Sequence, residues 1–422
     1  MRVYSALLLA FLTVSGASGQ ANLRPKDVRD IARAGSSAIP KLQELLSNPA
    51  PDVRAEAVRQ ITEIGPPHSL DPLIQASRDG DPMVQMLAAD GLVNYYVPGY
   101  LKRGVSGTIE RVGTGIKSKF TDTNDQAVDA YMAVRPDVIA ALAAQLRSGN
   151  MDVRANAARA EGVLRGKAAV GDLVAALRSK DSTLIYESLV ALEKIADQSA
   201  GPAVDFLLRD FDLKVQMAAI ETVGILRDTG AVPALADVVG ATDNLKVKRA
   251  ALTSLAMLPN PAFRGVFQQY FHDKDEKLRG AAAEGLGRLK NPLDLPALQQ
   301  AWKDEGKPGP RLSLAFARVM LGITEISQFS PLQLLINNLN MASYSGVAFP
   351  YLVELARDAQ VRAALYMAIG TGTKDEKIGL ARALGASGDQ ESIAQLKKLA
   401  DDPDPAVAQA AIAATRNIQA RM

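Results

Sequence analysis

The 422-residue chain contains no cysteine. A disulfide framework, thiol catalysis and Cys-ligated zinc are thereby excluded. Histidine is scarce as well. His68 and His272 are the only two, far apart and neither followed by Glu, which argues against a His-ligated metal. Aromatic residues make up 5% of the chain, and Trp302 is the single tryptophan. An excess of one charge is also missing: the formal net charge is +2. Nucleic-acid binders usually carry a strongly basic face, so no nucleic-acid partner is expected. No Gly-x-Ser-x-Gly motif and no Gly-x-x-x-x-Gly-Lys-Ser/Thr motif occurs, and Gly113 to Ser118 only superficially suggests a phosphate loop. Asp122, Asn124 and Gln126 begin like a calcium loop. Ala127 and Ala133 then stand where an EF-hand needs its glycine and its closing glutamate. No catalytic, cofactor or metal residue is assigned.

Long apolar runs are confined to the beginning. Arg2 precedes Val3 to Val14, and Ala17, Ser18 and Gly19 supply small residues before Gln20. That is the pattern of a secretory signal cleaved after Gly19, with an uncleaved anchor as the alternative. The run is shorter than the roughly twenty residues of a spanning helix. A periplasmic or secreted protein is expected.

What the chain does have is a period. An apolar residue returns at Val53, Val84, Val153, Leu184, Val215, Val247 and Leu278, and late at Val407. The intervals are 31, 69, 31, 31, 32 and 31, so one contains an insertion of 38 residues. Four positions after each marker stands a small residue (Ala57, Ala88, Ala157, Ser188, Ala219, Ala251, Ala282). Eleven after it stands an apolar one (Ile64, Tyr95, Leu164, Ile195, Leu226, Leu258, Leu289). Both spacings keep one face of a helix, and the small row lets a neighbouring helix approach closely. About fourteen before it, Ile39, Leu70, Ile139, Val170, Val232 and Phe263 open a first helix, with Pro40, Pro72, Pro233 and Pro296 near such starts. Five before it runs a short polar row: Asn48, Asp79, Ser148, Ser179, Asp210, Thr242, Asp273 and Asp402. Such residues cap a helix or close a tight turn. The expectation is an all-α, right-handed α-solenoid of about eleven helix pairs, in which no unit buries its apolar face alone.

The combination resembles the HEAT-repeat family, in particular its bacterial branch related to phycobilisome-lyase (PBS-lyase) repeats. The signature Asp-x-x-x-x-Val-Arg-x-x-Ala stands here as Asn48 to Ala57, Ser148 to Ala157 and Asp273 to Ala282, with Arg54, Arg154 and Arg279 at its Arg position. Gln85, Ile185, Gln216, Lys248 and Ala408 depart from it, so the polar ladder the family builds is expected to be incomplete. The resemblance implies stacked helix pairs whose concave surface binds a protein or peptide. It does not imply catalysis, although a lyase-type enzyme remains a third alternative.

The reading divides the chain into the signal (1–19), an N-terminal cap (20–37), repeats (38–98), the insertion (99–136), repeats (137–322), and degenerate repeats with a C-terminal cap (323–422). In the last segment three pairs are expected: 331–340 with 347–357, 360–369 with 376–386, and 391–399 with 405–419. The insertion carries Gly99, Gly104, Gly107, Gly113 and Gly115, a density that helices tolerate poorly. Gly104–Phe120 alternates partly like a hairpin, and Asp122 to Asp129 is expected to lead into helix through Tyr131 and Met132. Tyr95, Tyr96, Tyr100, Lys102, Arg103, Arg111, Lys117 and Lys119 are the candidate partner-binding residues. The first reading of function is a non-enzymatic scaffold or adaptor of the cell envelope. The alternative is binding of an anionic glycan or a membrane surface through the basic insertion, as long ordered loops often carry recognition.

Overall fold

The computed structural model describes residues 23–103, 109–111 and 126–422. The expected signal segment lies outside them. The chain divides into two compact units: one runs to Gln126 and takes in Arg135–Leu164, and the other comprises Ala127–Val134 and Arg165–Met422.

In the first unit α1 (Pro25–Ala32) precedes three pairs. These are α2 (Ile39–Leu45) with α3 (Pro51–Ile64), α4 (Leu70–Ala76) with α5 (Pro82–Tyr96), and α6 (Pro136–Gln145) with α7 (Met151–Val163). Between the second and third lie strands β1 (Leu101–Arg103) and β2 (Ile109–Arg111). The second unit begins with α8 (Val170–Ala176) and α9 (Ser182–Ile195). It continues through α10 (Leu213–Ile225), α11 (Val232–Ala241) with α12 (Leu245–Ala256), α13 (Arg264–Tyr270) with α14 (Glu276–Leu289), and α15 (Leu295–Asp304) with α16 (Pro308–Met320). It ends with α17 (Pro331–Asn337) and α18 (Ser345–Leu355), α19 (Ala359–Thr371) and α20 (Lys374–Ser387), and α21 (Gln390–Leu399) and α22 (Pro405–Gln419). Each unit is an α-solenoid. In the first, α1, α3, α5 and α7 stack in turn; in the second, α9, α10, α12, α14, α16, α18, α20 and α22 do. The last hundred residues thus continue the stacking of their unit.

Every marker is the third residue of its second helix, and all eight are buried. The small row four positions on is fully buried throughout. There helices touch almost at backbone distance. A Cβ added at Gly287 of α14 would lie 2.5 Å from Cα of Ala317 in α16. One pair lacks a regular first helix: 3-10 turns at Gln198–Ala203 and Asp205–Leu207 stand before α10. Position 201, fourteen before the marker, holds glycine followed by Pro202, which donates no backbone hydrogen bond. Twelve positions after their markers, Gly65, Arg165, Ala196, Arg227 and Lys290 all take left-handed backbone, with φ between 50° and 72°. Gly65, Ala196 and Lys290 are the C-caps of their helices, and Arg165 and Arg227 directly follow the C-caps Leu164 and Leu226; four of the five do this without glycine.

Candidate binding surfaces and a buried polar cluster

The polar row five before each marker closes turns. Its side-chain oxygens accept from the backbone N–H two residues on: Asn48 from Ala50 (2.9 Å), Asp79 from Asp81 (2.8 Å), Ser148 from Asn150 (3.2 Å), Ser179 from Asp181 (3.0 Å) and Asp210 from Asp212 (2.8 Å) are examples. The helix caps proper sit two residues further along, at Asp81, Asn150, Asp181, Asp212, Asn244, Asp275 and Asp404. Of the two roles open to the row, turn closure is the one adopted, and a second polar row does the capping.

In the repeats that carry Arg or Gln there, the fourth residue of the second helix reaches back over the turn. Arg54 donates to the Asn48 carbonyl (2.9 Å) and makes a two-pronged contact with Asp79 of the next pair (2.7 and 2.8 Å). Arg279 repeats this with the Asp273 carbonyl and Glu305, and Gln85 and Gln216 keep the backbone half of it. The ladder resumes where the sequence signature fades. Arg311 bonds the carbonyls of Trp302 and Glu305, Arg362 reaches Asp389, and Lys377 reaches Asp402.

At the insertion, β1 and β2 pair antiparallel with Leu101 opposite Arg111, Lys102 opposite Glu110 and Arg103 opposite Ile109. A hairpin forms, but it starts three residues before the expected Gly104. Lys102 and Arg103 lie on β1 and Arg111 on β2; Lys117 and Lys119 lie outside the described residues. Two tyrosines correct the expected surface. Tyr96 is buried, with its hydroxyl accepting from the Arg135 N–H (3.1 Å), and Tyr100 is buried too, so both pack rather than present themselves. Tyr95 is half-buried, edge-on to Tyr96. The helix expected through Tyr131 and Met132 does not form: Ala130 and Tyr131 make a turn and 132–135 is irregular. Arg135 precedes Pro136 and is pushed to extended backbone, and it caps α6 while paired with Asp71 and Asp137.

Sequence reasoning missed a buried polar cluster. On α14, Glu284 and Arg288 stand four apart among small residues and pair (3.1 Å). Arg288 also grips Glu354 of α18 with Nε and Nη2 (both 3.0 Å) and bonds the Ala256 carbonyl (3.3 Å). Glu284 accepts from the Tyr351 hydroxyl and from Ser313 (3.2 Å). The Phe316 ring stacks on Tyr351 (4.6 Å) beneath the guanidinium. Burial pushes the Tyr351 hydroxyl's pKa well up, and the Glu284 carboxylate adds to it. The cluster ties α18 across α14 and α16. In the first unit, burial raises the Asp90 carboxyl to about 7, against the pull of Arg159 and a hydrogen bond from Asn156. Among the described residues, no three His, Asp or Glu side chains are grouped to hold a metal, and no helix is long and apolar enough to cross a membrane.

The architecture has a match in known families. Residues 39–102 and 241–317 match the model of HEAT repeats, and residues 377–402 match the PBS lyase HEAT-like repeat. The chain is a HEAT-repeat protein. Among solved structures it is similar to an engineered protein at 20% identity (90% of this chain, 98% of that one, TM-score 0.40). It is also similar to the CpcE–CpcF phycocyanin lyase complex from Nostoc at 19% (64% and 94%, TM-score 0.37), and to Kap95p, in a complex with RanGDP, at 13% (96% and 55%, TM-score 0.46). No curated protein matches it in sequence. The HEAT-repeat assignment agrees with the signature residues Asn48 to Ala57 and Asp273 to Ala282, which fall inside matched segments.

Proposed function

We propose that this HEAT-repeat protein is a non-enzymatic, protein-binding scaffold of the cell envelope, exported by its first nineteen residues. The observation that supports binding is an apolar edge along the turns of the second unit. Phe206, Phe211, Leu213 and Leu245 are exposed there in adjacent repeats, with Phe211 fully in solvent. Exposed apolar residues are ordinary singly, but a set along one edge marks an interaction surface. Met83 and Met151 are exposed at the corresponding turns of the first unit. The flank of α14 offers less to a partner than a concave-surface reading requires, because residues 280–287 are all buried.

Cross-linking mass spectrometry on the exported fraction tests this. The intact protein is compared with the triple variant Phe211→Asp, Leu213→Asp, Leu245→Asp and with a form lacking residues 99–135. A partner lost from the triple variant and kept by the deletion supports the turn edge. A partner lost only with the deletion, in a salt-dependent way, moves recognition to the basic insertion and to an anionic glycan or membrane surface. Protein found unprocessed in the cytoplasm refutes the envelope assignment.

A further inference from the structure

A cavity of about 600 Å³ opens beside the loop between α16 and α17. Trp302, Arg311, Phe329, Gln333 and Asn337 stand around it, and no carboxylate lines it. Its walls do not follow from repeat packing. Phe329 is 80% exposed and takes φ +70°, a conformation that a bulky side chain adopts only under strain. Strain held in an exposed aromatic is a functional signature when the surroundings supply a site. Here they do. Gln333 donates to the Asn337 carbonyl oxygen (2.6 Å). This fixes both amides and leaves the Gln333 oxygen as an acceptor and the Asn337 amide as a donor.

Charge points the same way. Trp302 carries two guanidinium groups, Arg311 at 4.4 Å and Arg318 at 5.0 Å from its ring. Arg311 spends Nη1 on the Trp302 and Glu305 carbonyls, and among the described residues neither arginine forms an ion pair. The Arg318 Nε is buried without a hydrogen-bond partner. Burial depresses its pKa; Glu325 nearby opposes that and the like charge of Arg311 reinforces it.

We propose that the cavity binds an acidic saccharide, with its carboxylate or sulfate toward Arg311, a ring face on Phe329, and neighbouring hydroxyls on Gln333 and Asn337. Paired donor and acceptor amides match vicinal hydroxyls, and an aromatic face matches the apolar face of a sugar ring, which favours a glycan over an acidic peptide. The site is separate from the turn edge and from the insertion, and it stands or falls independently of the scaffold reading.

Because Trp302 is the only tryptophan, tryptophan fluorescence excited selectively, beyond the absorption of the tyrosines, reports on this cavity alone. The full chain is screened on an array of uronate- and sulfate-bearing oligosaccharides with neutral counterparts, and hits are titrated by Trp302 fluorescence. The expected result is saturable binding to an acidic glycan with a Trp302 response, weakened about tenfold or more by Phe329→Ala and by Asn337→Ala. Neither substitution removes a packing contact of the core, and unchanged circular dichroism confirms folding. Acidic glycans that bind without a Trp302 response, or equally well to both variants, overturn the assignment. So does an array on which no acidic glycan binds, or a Trp302 response to acidic peptides alone.

Discussion

Replacing Arg288 by Met should loosen the second unit at one place. The guanidinium is 6% exposed and serves Glu284, Glu354 and the Ala256 carbonyl at once, above the Phe316 ring. Methionine keeps much of the volume but leaves two carboxylates facing each other without their cation. Breaking a buried pair from one side costs about 3–5 kcal/mol, because the remaining charge stays desolvated. Two features set where in that range the loss falls. Glu284 keeps hydrogen bonds from Tyr351 and Ser313, and Glu354 is 22% exposed and can recruit water. The estimate is therefore at the lower end, about 3 kcal/mol. Glu354→Gln should cost less, about 1–2 kcal/mol, since Arg288 retains Glu284 and a neutral amide still accepts a hydrogen bond.

Global unfolding does not locate the loss, because a solenoid's stability is a sum over neighbours. Hydrogen exchange followed by mass spectrometry resolves the place. In Arg288→Met, peptides covering Ser345–Leu355 should exchange about a hundredfold faster, as 3 kcal/mol of local destabilisation implies. Peptides in α20 and α22 should change less, and those in α9 not at all. Unchanged protection in α18, or loosening spread evenly over the unit, would refute the account of the cluster as the tie between α18 and the helices beneath it.

Four other outcomes follow from the same reasoning. Asp90 holds its proton to about pH 7 when folded and to its ordinary value of 3.8 when unfolded, so stability should fall as pH rises from about 4 to 7 and level off above. The loss is at most about 4 kcal/mol, and Asp90→Asn should flatten that part of a denaturant-stability profile measured from pH 4 to 8; a profile unchanged by the substitution counts against it. Gly287→Val, which puts side-chain atoms against the backbone of Ala317, should cost about 1–3 kcal/mol and lower the melting temperature, whereas alanine at the open position Gly309 should not. Arg54→Ala should destabilise the first unit by about 2 kcal/mol, since its side chain and that of Asp79 are 15% and 9% exposed. Lys374→Ala, whose partner Asp404 shares a half-exposed contact, should lie within about 0.5 kcal/mol of the parent in the same melts.

Much of the architecture is legible because solenoid packing is local. Val53, Val84 and their successors recur at the spacing of the stack, and each must be buried by the next pair, so sequence period and spatial period are one quantity. The same locality explains the polar row, since a turn residue bonds two positions along the chain wherever its helix packs. What escaped the reading is what depends on distant partners. Arg362 and Lys377 occupy the ladder position although no marker preceded them at the right interval, and only the paired Asp389 and Asp402 reveal it. Tyr96 and Tyr100 looked like a recognition pair because aromatics beside glycines and lysines usually are. Both are buried, and the Tyr96 hydroxyl finds its partner at Arg135, 39 residues on, which no local pattern encodes.

The two polar sites separate along the same line. Glu284 and Arg288 read as an ordinary helical pair from sequence, and their partners Ser313, Tyr351 and Glu354 lie up to 67 residues away. The hydrogen bonds of Glu284, Ser313 and Tyr351 are all made within the cluster, which fits a structural tie. The cavity at Trp302 is the opposite case. No carboxylate lines it, its amides keep a free donor and acceptor, and Phe329 holds a strained conformation with its ring in solvent. Buried polar groups that satisfy one another stabilise a fold, whereas converging polar groups left unsatisfied beside an open cavity are poised for something from outside. By that criterion the loop between α16 and α17, where the period lapses before the stacking resumes, is where this solenoid has room for chemistry that its repeats do not supply.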